Sequence, residues 1–230
     1  MCARKKRSKK WLFKIKSVKK VEDMNILWFV LSVVGGYLLG SIPFALIIAR
    51  VFYKKDLRQY GSGNPGGSNA GRVLGKKAGI SVVILDALKV VLAIWIGSQV
   101  STECAMLSGL ACCIGHCYPI FAHFKGGKAV ASMYGFLLGI SIFIFKNPLY
   151  FLVPLIMFFT VLYLYKMVSV ASICSALASS LQIMSLNWAW NETSLTLIIA
   201  SWIVTLLIIY RHRSNIEKVR AGAENKVTWM

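Results

Sequence analysis

Apolar runs long enough to cross a bilayer follow one another through most of this sequence, and they leave few folds open to it. A helical crossing needs about 20 consecutive apolar residues. Runs of that kind are expected at 26–50, 79–99, 104–122, 128–146, 148–165, 168–187 and 193–210. Hydrocarbon offers no water to an unpaired N–H or C=O, so such a chain folds as helices that satisfy their own backbone. A hydrophobic content of 57 % and a mean hydropathy of +0.64 exclude an ordinary soluble domain of 230 residues. The expected fold class is an all-α integral membrane protein with seven transmembrane helices, one domain over 24–230.

A formal net charge of +19 must collect in the loops and at the ends, where it can meet anionic headgroups or an anionic substrate. The segments after the first, third, fifth and seventh runs carry nearly all of it. They hold Arg50, Lys54, Lys55, Arg58, Arg72, Lys76 and Lys77, then Lys125 and Lys128, then Lys166, then Arg211, Arg213, Lys218, Arg220 and Lys226. The opposite segments hold Glu103, Lys146 and Glu192. Cytoplasmic loops are the basic ones, which makes the body N-out/C-in. Residues 1–20, with ten Lys or Arg and no acid, oppose that orientation. They could form a basic surface helix with Trp11, Leu12, Phe13 and Ile15 against the membrane. The tail is either held at the inner face, exported, or the product of a misassigned start; initiation at Met24 removes the conflict and is the favoured expectation for the basic extension, residues 1–23.

Three polar clusters lie on the basic side. The first, residues 61–72, packs five glycines, Ser62, Asn64, Ser68, Asn69 and Arg72 into twelve positions. Glycines let backbone N–H groups converge on an anion, and arginine offers a planar charged fork, so the stretch reads as a phosphate cradle. Gly61-x-Gly63-x-x-Gly66 spells the dinucleotide fingerprint but follows a membrane run instead of a β-strand, so that match is set aside. A plain flexible linker would not need the two asparagines and the arginine. The second cluster is Lys125-Gly126-Gly127-Lys128 at the mouth of a helix, where free N–H groups and the dipole favour anions. It is not a P-loop, because Ala122 and Ala129 stand where glycine and Ser/Thr are required. The third runs from Arg211 to Glu224 and includes His212 and Asn215. On charge alone, the second and third clusters would also serve as positive-inside anchors.

Other polar residues lie at or within the runs. Asp86 and Lys89 share a helix face in the second run, an intramembrane ion pair that is costly and hence a functional or packing device. Ser169 and Ser172 open the sixth run on the basic side. Cys112, Cys113, His116 and Cys117 cluster at helical spacing, but small buried hydrophobes beside a histidine explain them, and no metal is expected.

With Gly-Ser-Ile-Pro-Phe at 40–44, the three clusters resemble, in order, the motifs of the bacterial acyl-phosphate:glycerol-3-phosphate acyltransferase (PlsY) family over essentially 24–230. The resemblance implies a seven-helix inner-membrane enzyme with Gly-rich active-site loops facing the cytoplasm. Such an enzyme transfers a fatty acyl group from acyl-phosphate to the 1-hydroxyl of glycerol 3-phosphate, giving lysophosphatidic acid and phosphate. No cofactor or metal, no nucleic acid and no obligate protein partner are expected; the lipid bilayer is its surroundings. Carried over by position, Ser62, Arg72, Lys128, His212 and Asn215 are expected to be catalytic. Gly61, Gly63, Asn64, Gly66, Ser68, Asn69, Lys125, Gly126, Gly127, Ser169 and Glu224 are expected around the substrate phosphates. Gly67, Ala129, Ser132 and Val90 depart from the usual alanine, glycine, threonine and glycine, and Ser68 stands for a threonine. Either His212 or the substrate phosphate would take the hydroxyl proton, with substrate assistance favoured by the resemblance. The competing class is a transporter of organic phosphates or another anion, whose glycine-broken helices and basic cavity would look similar. A non-catalytic anchor for anionic lipids would explain residues 1–20 but not the Asn and Ser content of the loops.

Overall fold

The break in the first apolar run shows how the sequence shapes the helices. Helix α1 (Ile26–Gly40) stops just before Pro43, and α2 (Phe44–Tyr53) resumes beyond it at an angle of 41°. Proline has no N–H for the helical ladder and disfavours helical geometry in the residue before it. The expected single span 26–50 is therefore two helices, and the second runs on to Tyr53. The structure, a computed structural model, describes residues 26–190 and 194–227, with no side chains described at 187–190. The basic stretch 1–20 and Met24 fall outside the described residues.

Eight further helices follow: α3 (Gly67–Leu74), α4 (Lys76–Ser98), α5 (Thr102–Cys117), α6 (Val130–Gly139), α7 (Leu149–Tyr165), α8 (Val168–Trp190), α9 (Leu195–Arg211) and α10 (Arg213–Arg220). A π-helical turn, Ile140–Ile144, extends α6. Among the described residues there is no β-strand. Three helical stretches, Lys76–Ser98, Thr102–Ala122 and Val168–Leu186, are long and apolar enough to span a membrane. The bent pairs α1–α2 and α9–α10 raise this to as many as five, while Val130–Ile144 and Leu149–Tyr165 are shorter apolar helices.

α4 is the hub, packed against α1, α3, α5 and α6; α7 pairs with α8, and α9 packs on α5 and α8. Small residues permit the close approaches, as expected where lipid removes the hydrophobic drive between helices. A Cβ on Gly36 or Gly40 of α1 would fall 2.4 or 2.1 Å from the carbonyl oxygens of Ser108 and Cys112 on α5. Gly35, beside Gly36 in the chain, has no such neighbour within 4 Å. Hydroxyls join α8 to its neighbours: Ser180 and Thr205 lie 2.8 Å apart, and Ser175 donates to the Pro154 carbonyl of α7 at 2.8 Å. Large side chains such as Trp28, Leu88, Trp95, Ile156 and Leu206 point outward, the arrangement of a protein whose solvent is hydrocarbon.

The second half of the expected 61–72 cradle is the start of α3. From Gly67 the chain is helical, and Gly67 and Gly71 lie against Gly79 and Val83 of α4. Helix contact, as much as ligand approach, calls for glycine there.

Gly40→Ala would press a methyl onto backbone that cannot turn aside, and is expected to destabilise the fold by about 1–3 kcal/mol. Gly35→Ala should leave thermal unfolding in detergent unchanged or slightly raised, since its site is open.

Candidate active site

A basic cleft of about 750 Å³ opens where α10, the 61–66 turn and the turn before α6 meet. It is lined by Arg58, Lys125, Lys128, Arg211, Arg213 and Lys218, with Asp56 as the one carboxylate of the lining. Asp56 accepts from Arg58 Nε at 3.0 Å and pairs with Arg58 Nη2 at 2.6 Å, with Arg50 at 3.3 Å. The Arg58 guanidinium beside it holds its carboxyl well below the usual range, so the cleft keeps a strong positive excess. Ser62, Gly63, Asn64, Lys125, Gly126, Lys128 and Asn215, all expected from the sequence, line this cleft.

The first cluster is organised by Asn69. Its Oδ1 accepts from Ser62 N at 2.9 Å, and its Nδ2 donates to the Leu57 and Tyr60 carbonyls at 3.2 and 3.0 Å. Asn69 is 2 % exposed, so its amide holds the turn and does not face the cleft. Gly61 and Gly63 sit at φ +62° and +70°, a region that other residues enter at a cost. The N–H groups of Ser62, Gly63 and Gly66 are engaged by Asn69, the Tyr60 carbonyl and the Asn64 carbonyl, which removes them from the expected oxyanion cradle. No side chain caps α3 at Gly66. Ser68 and Arg72 are exposed on α3, outside the cleft lining.

The second cluster lies against the end of α5. Gly126 N donates to the Cys117 carbonyl at 3.2 Å and Gly127 N to the His116 carbonyl at 3.1 Å. A Cβ on either glycine would sit 2.1–2.2 Å from His116 atoms. These two glycines therefore serve close backbone packing, and their N–H groups are committed to protein rather than phosphate. From the other side, Arg211 donates to the Gly126 carbonyl at 2.7 Å and the Gly127 carbonyl at 3.0 Å, with its guanidinium 5.5 Å from the Tyr118 ring centroid. Ala129, where the resemblance expects glycine, is buried at φ +59° and precedes α6.

The third cluster closes a polar chain between elements far apart in sequence. Lys128 Nζ donates to Asn215 Oδ1; Asn215 Nδ2 donates to Glu224 Oε1 at 2.8 Å; Ser169 Oγ donates to the same oxygen at 2.6 Å. The chain joins the entry of α6, α10, the C-terminal segment and the first turn of α8. Val227 N, donating to the Lys166 carbonyl at 2.7 Å, fastens that segment down. Burial pushes the Lys128 ammonium below its ordinary pKa, while Glu224 pulls it back up. Glu224 stands among hydrogen-bond donors of the protein, an arrangement that orients Asn215 and would repel a phosphate.

His212, expected among the catalytic residues and one of two candidate proton acceptors, is 3 % exposed and not part of the cleft lining. It lies past α9, and the 2.8 Å contact of its Nδ1 with the Ile208 carbonyl fixes the Nδ1–H tautomer, since a carbonyl can only accept. Burial pushes it down to about 4, so it is neutral at pH 7. Cys112, Cys113 and Cys117 are buried in the apolar core, and among the described residues no group of three or more metal-ligating side chains forms.

Sequence reasoning missed Asp56, Arg58 and the clamp role of Arg211. Asp-x-Arg just ahead of the glycines was a usable signal for the first two, because Asp56 also accepts from Arg58 N at 3.1 Å to cap a 3₁₀ turn. Arg211 looked like any stop-transfer arginine.

A helical bundle with apolar outer faces and a cationic, hydrogen-bonded cleft at helix ends is the arrangement of an integral membrane protein with a site suited to anions. The sequence model described as glycerol-3-phosphate acyltransferase matches residues 30–222. Curated glycerol-3-phosphate acyltransferases of Macrococcus caseolyticus and Staphylococcus aureus are 42 % and 38 % identical over 192 and 204 residues. Those matches span 83 % and 84 % of this chain and 93 % and 95 % of the relatives. Crystal structures of PlsY (YgiH), an integral membrane glycerol 3-phosphate acyltransferase, superpose in their glycerol 3-phosphate and lysophosphatidic acid forms with TM-scores of 0.79 and 0.77 at 33 % and 32 % identity. They cover 87 % of this chain and 96 % and 95 % of theirs. The chain belongs to the glycerol-3-phosphate acyltransferase family.

Ala129→Gly is expected to stabilise the protein by about 1 kcal/mol, by relieving a left-handed backbone conformation. A second measurement concerns His212, which titrates near 6.5 when unfolded and about 4 when folded. The stability it contributes is complete above pH 6.5 and is lost as pH falls toward 4, because the unfolded chain binds the proton more readily. Tm should decline across that window, and His212→Asn should flatten part of the decline.

Proposed function

We propose that this protein transfers a fatty acyl group from acyl-phosphate to the 1-hydroxyl of glycerol 3-phosphate, releasing phosphate and lysophosphatidic acid. The protein is read as crossing the bacterial inner membrane seven times, N-out/C-in, with the cleft facing the cytoplasm. The observation that carries this reading is the chain Lys128–Asn215–Glu224–Ser169 at the wall of a cationic cleft, in a member of this family. Both proposed substrates bear phosphate, and the clustered arginines and lysines suit two anions held side by side.

Acyl-phosphate is already activated, so the barrier is mainly one of positioning and charge. The glycerol hydroxyl attacks the acyl carbon, negative charge develops on the carbonyl oxygen, and phosphate leaves. Lys128, held by Asn215, keeps two ammonium protons for those charges, since Asn215 Oδ1 takes one. Ser62, Arg58 and Lys125 are assigned to substrate phosphate oxygens, and Arg72 to an approaching one from α3. Asn69, Gly61 and Gly63 shape the turn that carries Ser62. Glu224 and Ser169 orient Asn215. The hydroxyl proton goes to a substrate phosphate oxygen. The cleft lining contains no histidine, and its carboxylate is paired with arginine. Phosphate, with a second pKa near 6, is a suitable acceptor at neutral pH.

The test is purified protein in bilayers with acyl-phosphate and labelled glycerol 3-phosphate. Lysophosphatidic acid and free phosphate should form in equal amounts. Lys128→Ala should lower the rate by about 100-fold or more with little change in Tm. Labelled glycerol 3-phosphate crossing the bilayer without product would replace this reading with that of a transporter.

A further inference from the structure

Three ionisable side chains lie buried below the cleft and take no part in the chemistry above. Asp86 and Lys89 of α4 are 2 % and 4 % exposed, and His116 of α5 is 8 % exposed. Lys89 Nζ lies 2.8 Å from Asp86 Oδ1, donates to the Ile42 carbonyl at 3.1 Å and stands 3.1 Å from His116 Nδ1. Either tautomer of His116 finds a partner at this edge, a bare Nδ1 accepting from Lys89 or an Nδ1–H donating to Asp86. Asp86 Oδ1 also lies 3.3 Å from His116 Nδ1. The imidazole is thereby held from one side, and its Nε2 edge meets Gly127, where a Cβ would come within 2.2 Å.

That contact connects the buried group to Lys128. The His116 carbonyl accepts from Gly127 N, its ring supports the Gly127 backbone, and Arg211 grips the Gly126 and Gly127 carbonyls from the opposite side. Lys128 is the next residue. Stability alone is a poor reason for the arrangement, because apolar residues of similar size in place of a buried ion pair are often neutral or stabilising. Ionisable groups inside apolar helices are costly and tend to be kept for function.

We propose that Asp86, Lys89 and His116 are positioning residues for acyl transfer, a buried ionic floor that fixes the Gly126–Gly127 turn and so aims Lys128. The inference rests on the acyltransferase reading of the cleft. Its test is His116→Asn, whose amide can still accept from Lys89 but leaves no ring beneath Gly127. In bilayers, kcat per folded molecule should fall by about 10- to 100-fold, the scale of a misplacement near 1 Å, while Tm stays close to that of the unaltered protein. Combined with Lys128→Arg, the loss should be no greater than that of Lys128→Arg alone, within about twofold, because His116 acts through Lys128. Unchanged kcat in His116→Asn, or losses that multiply, would overturn the proposal. Asp86→Leu with Lys89→Met removes both charges together and leaves no lone buried ion. It should keep Tm but lose kcat; loss of Tm with kcat per folded molecule intact would mean a packing role only. Failure of the acyltransferase reading is separable, since the unaltered protein would then make no product. In that event the rise of Tm with inorganic phosphate decides: a midpoint raised about tenfold in His116→Asn supports the floor, and an unchanged midpoint overturns it.

Discussion

In hydrocarbon, a backbone group that leaves its helix has no water to turn to, and this constraint explains where polar atoms appear in the protein. Where Pro43 breaks the first apolar run, the Ile42 carbonyl is met by the Lys89 ammonium from α4. Within α7, the Pro154 carbonyl accepts from Ser175 of α8 and Tyr134 of α6. Elsewhere the helices approach through glycine and serine, and the large apolar side chains face outward. Polar function is left to the helix ends, and the cleft is assembled there.

The same few residue types do several jobs within that cleft. Gly61 and Gly63 permit a backbone conformation, Gly67 and Gly71 let two helices touch, and Gly126 and Gly127 leave room for His116 and the end of α5. Asn69 satisfies a turn, whereas Asn215 links a cation to a carboxylate. Arginine shows the same division. Arg58 is tied to Asp56 at the cleft wall, while Arg211 clamps carbonyls and lies over Tyr118. A motif of glycines and basic residues thus mixes groups that hold the site with groups free to meet a ligand.

The electrostatics follow from this mixture. Of the lining cations, Arg58 is balanced by Asp56, but Lys125, Lys128, Arg213 and Lys218 face the cleft without a comparable partner in its wall. Glu224 acts at one remove, through Asn215, moderating the lysine beside it without presenting a carboxylate to an incoming anion. His212, buried and hydrogen-bonded to a carbonyl, remains neutral and adds no charge at pH 7.

Much of this was legible in the chain itself. Runs of apolar residues dictate helices in a bilayer, and the skew of Lys and Arg marks segments that line the cationic cleft, because both follow from one-dimensional composition. The three clusters carry the family resemblance that the matching relatives support. Role within a cluster was not legible, since it depends on which neighbour a side chain meets. The sequence could not say that Asn69 turns to the Leu57 and Tyr60 carbonyls, that Gly127 rests on His116, or that Glu224 closes on Ser169 fifty-five positions away. Nor could it distinguish Arg211 from an ordinary anchoring arginine. Hydrophobicity is a property of each residue and can be read along the chain; hydrogen-bond partnership is a property of pairs, and only the packing of α4, α5, α6 and α10 brings those pairs together.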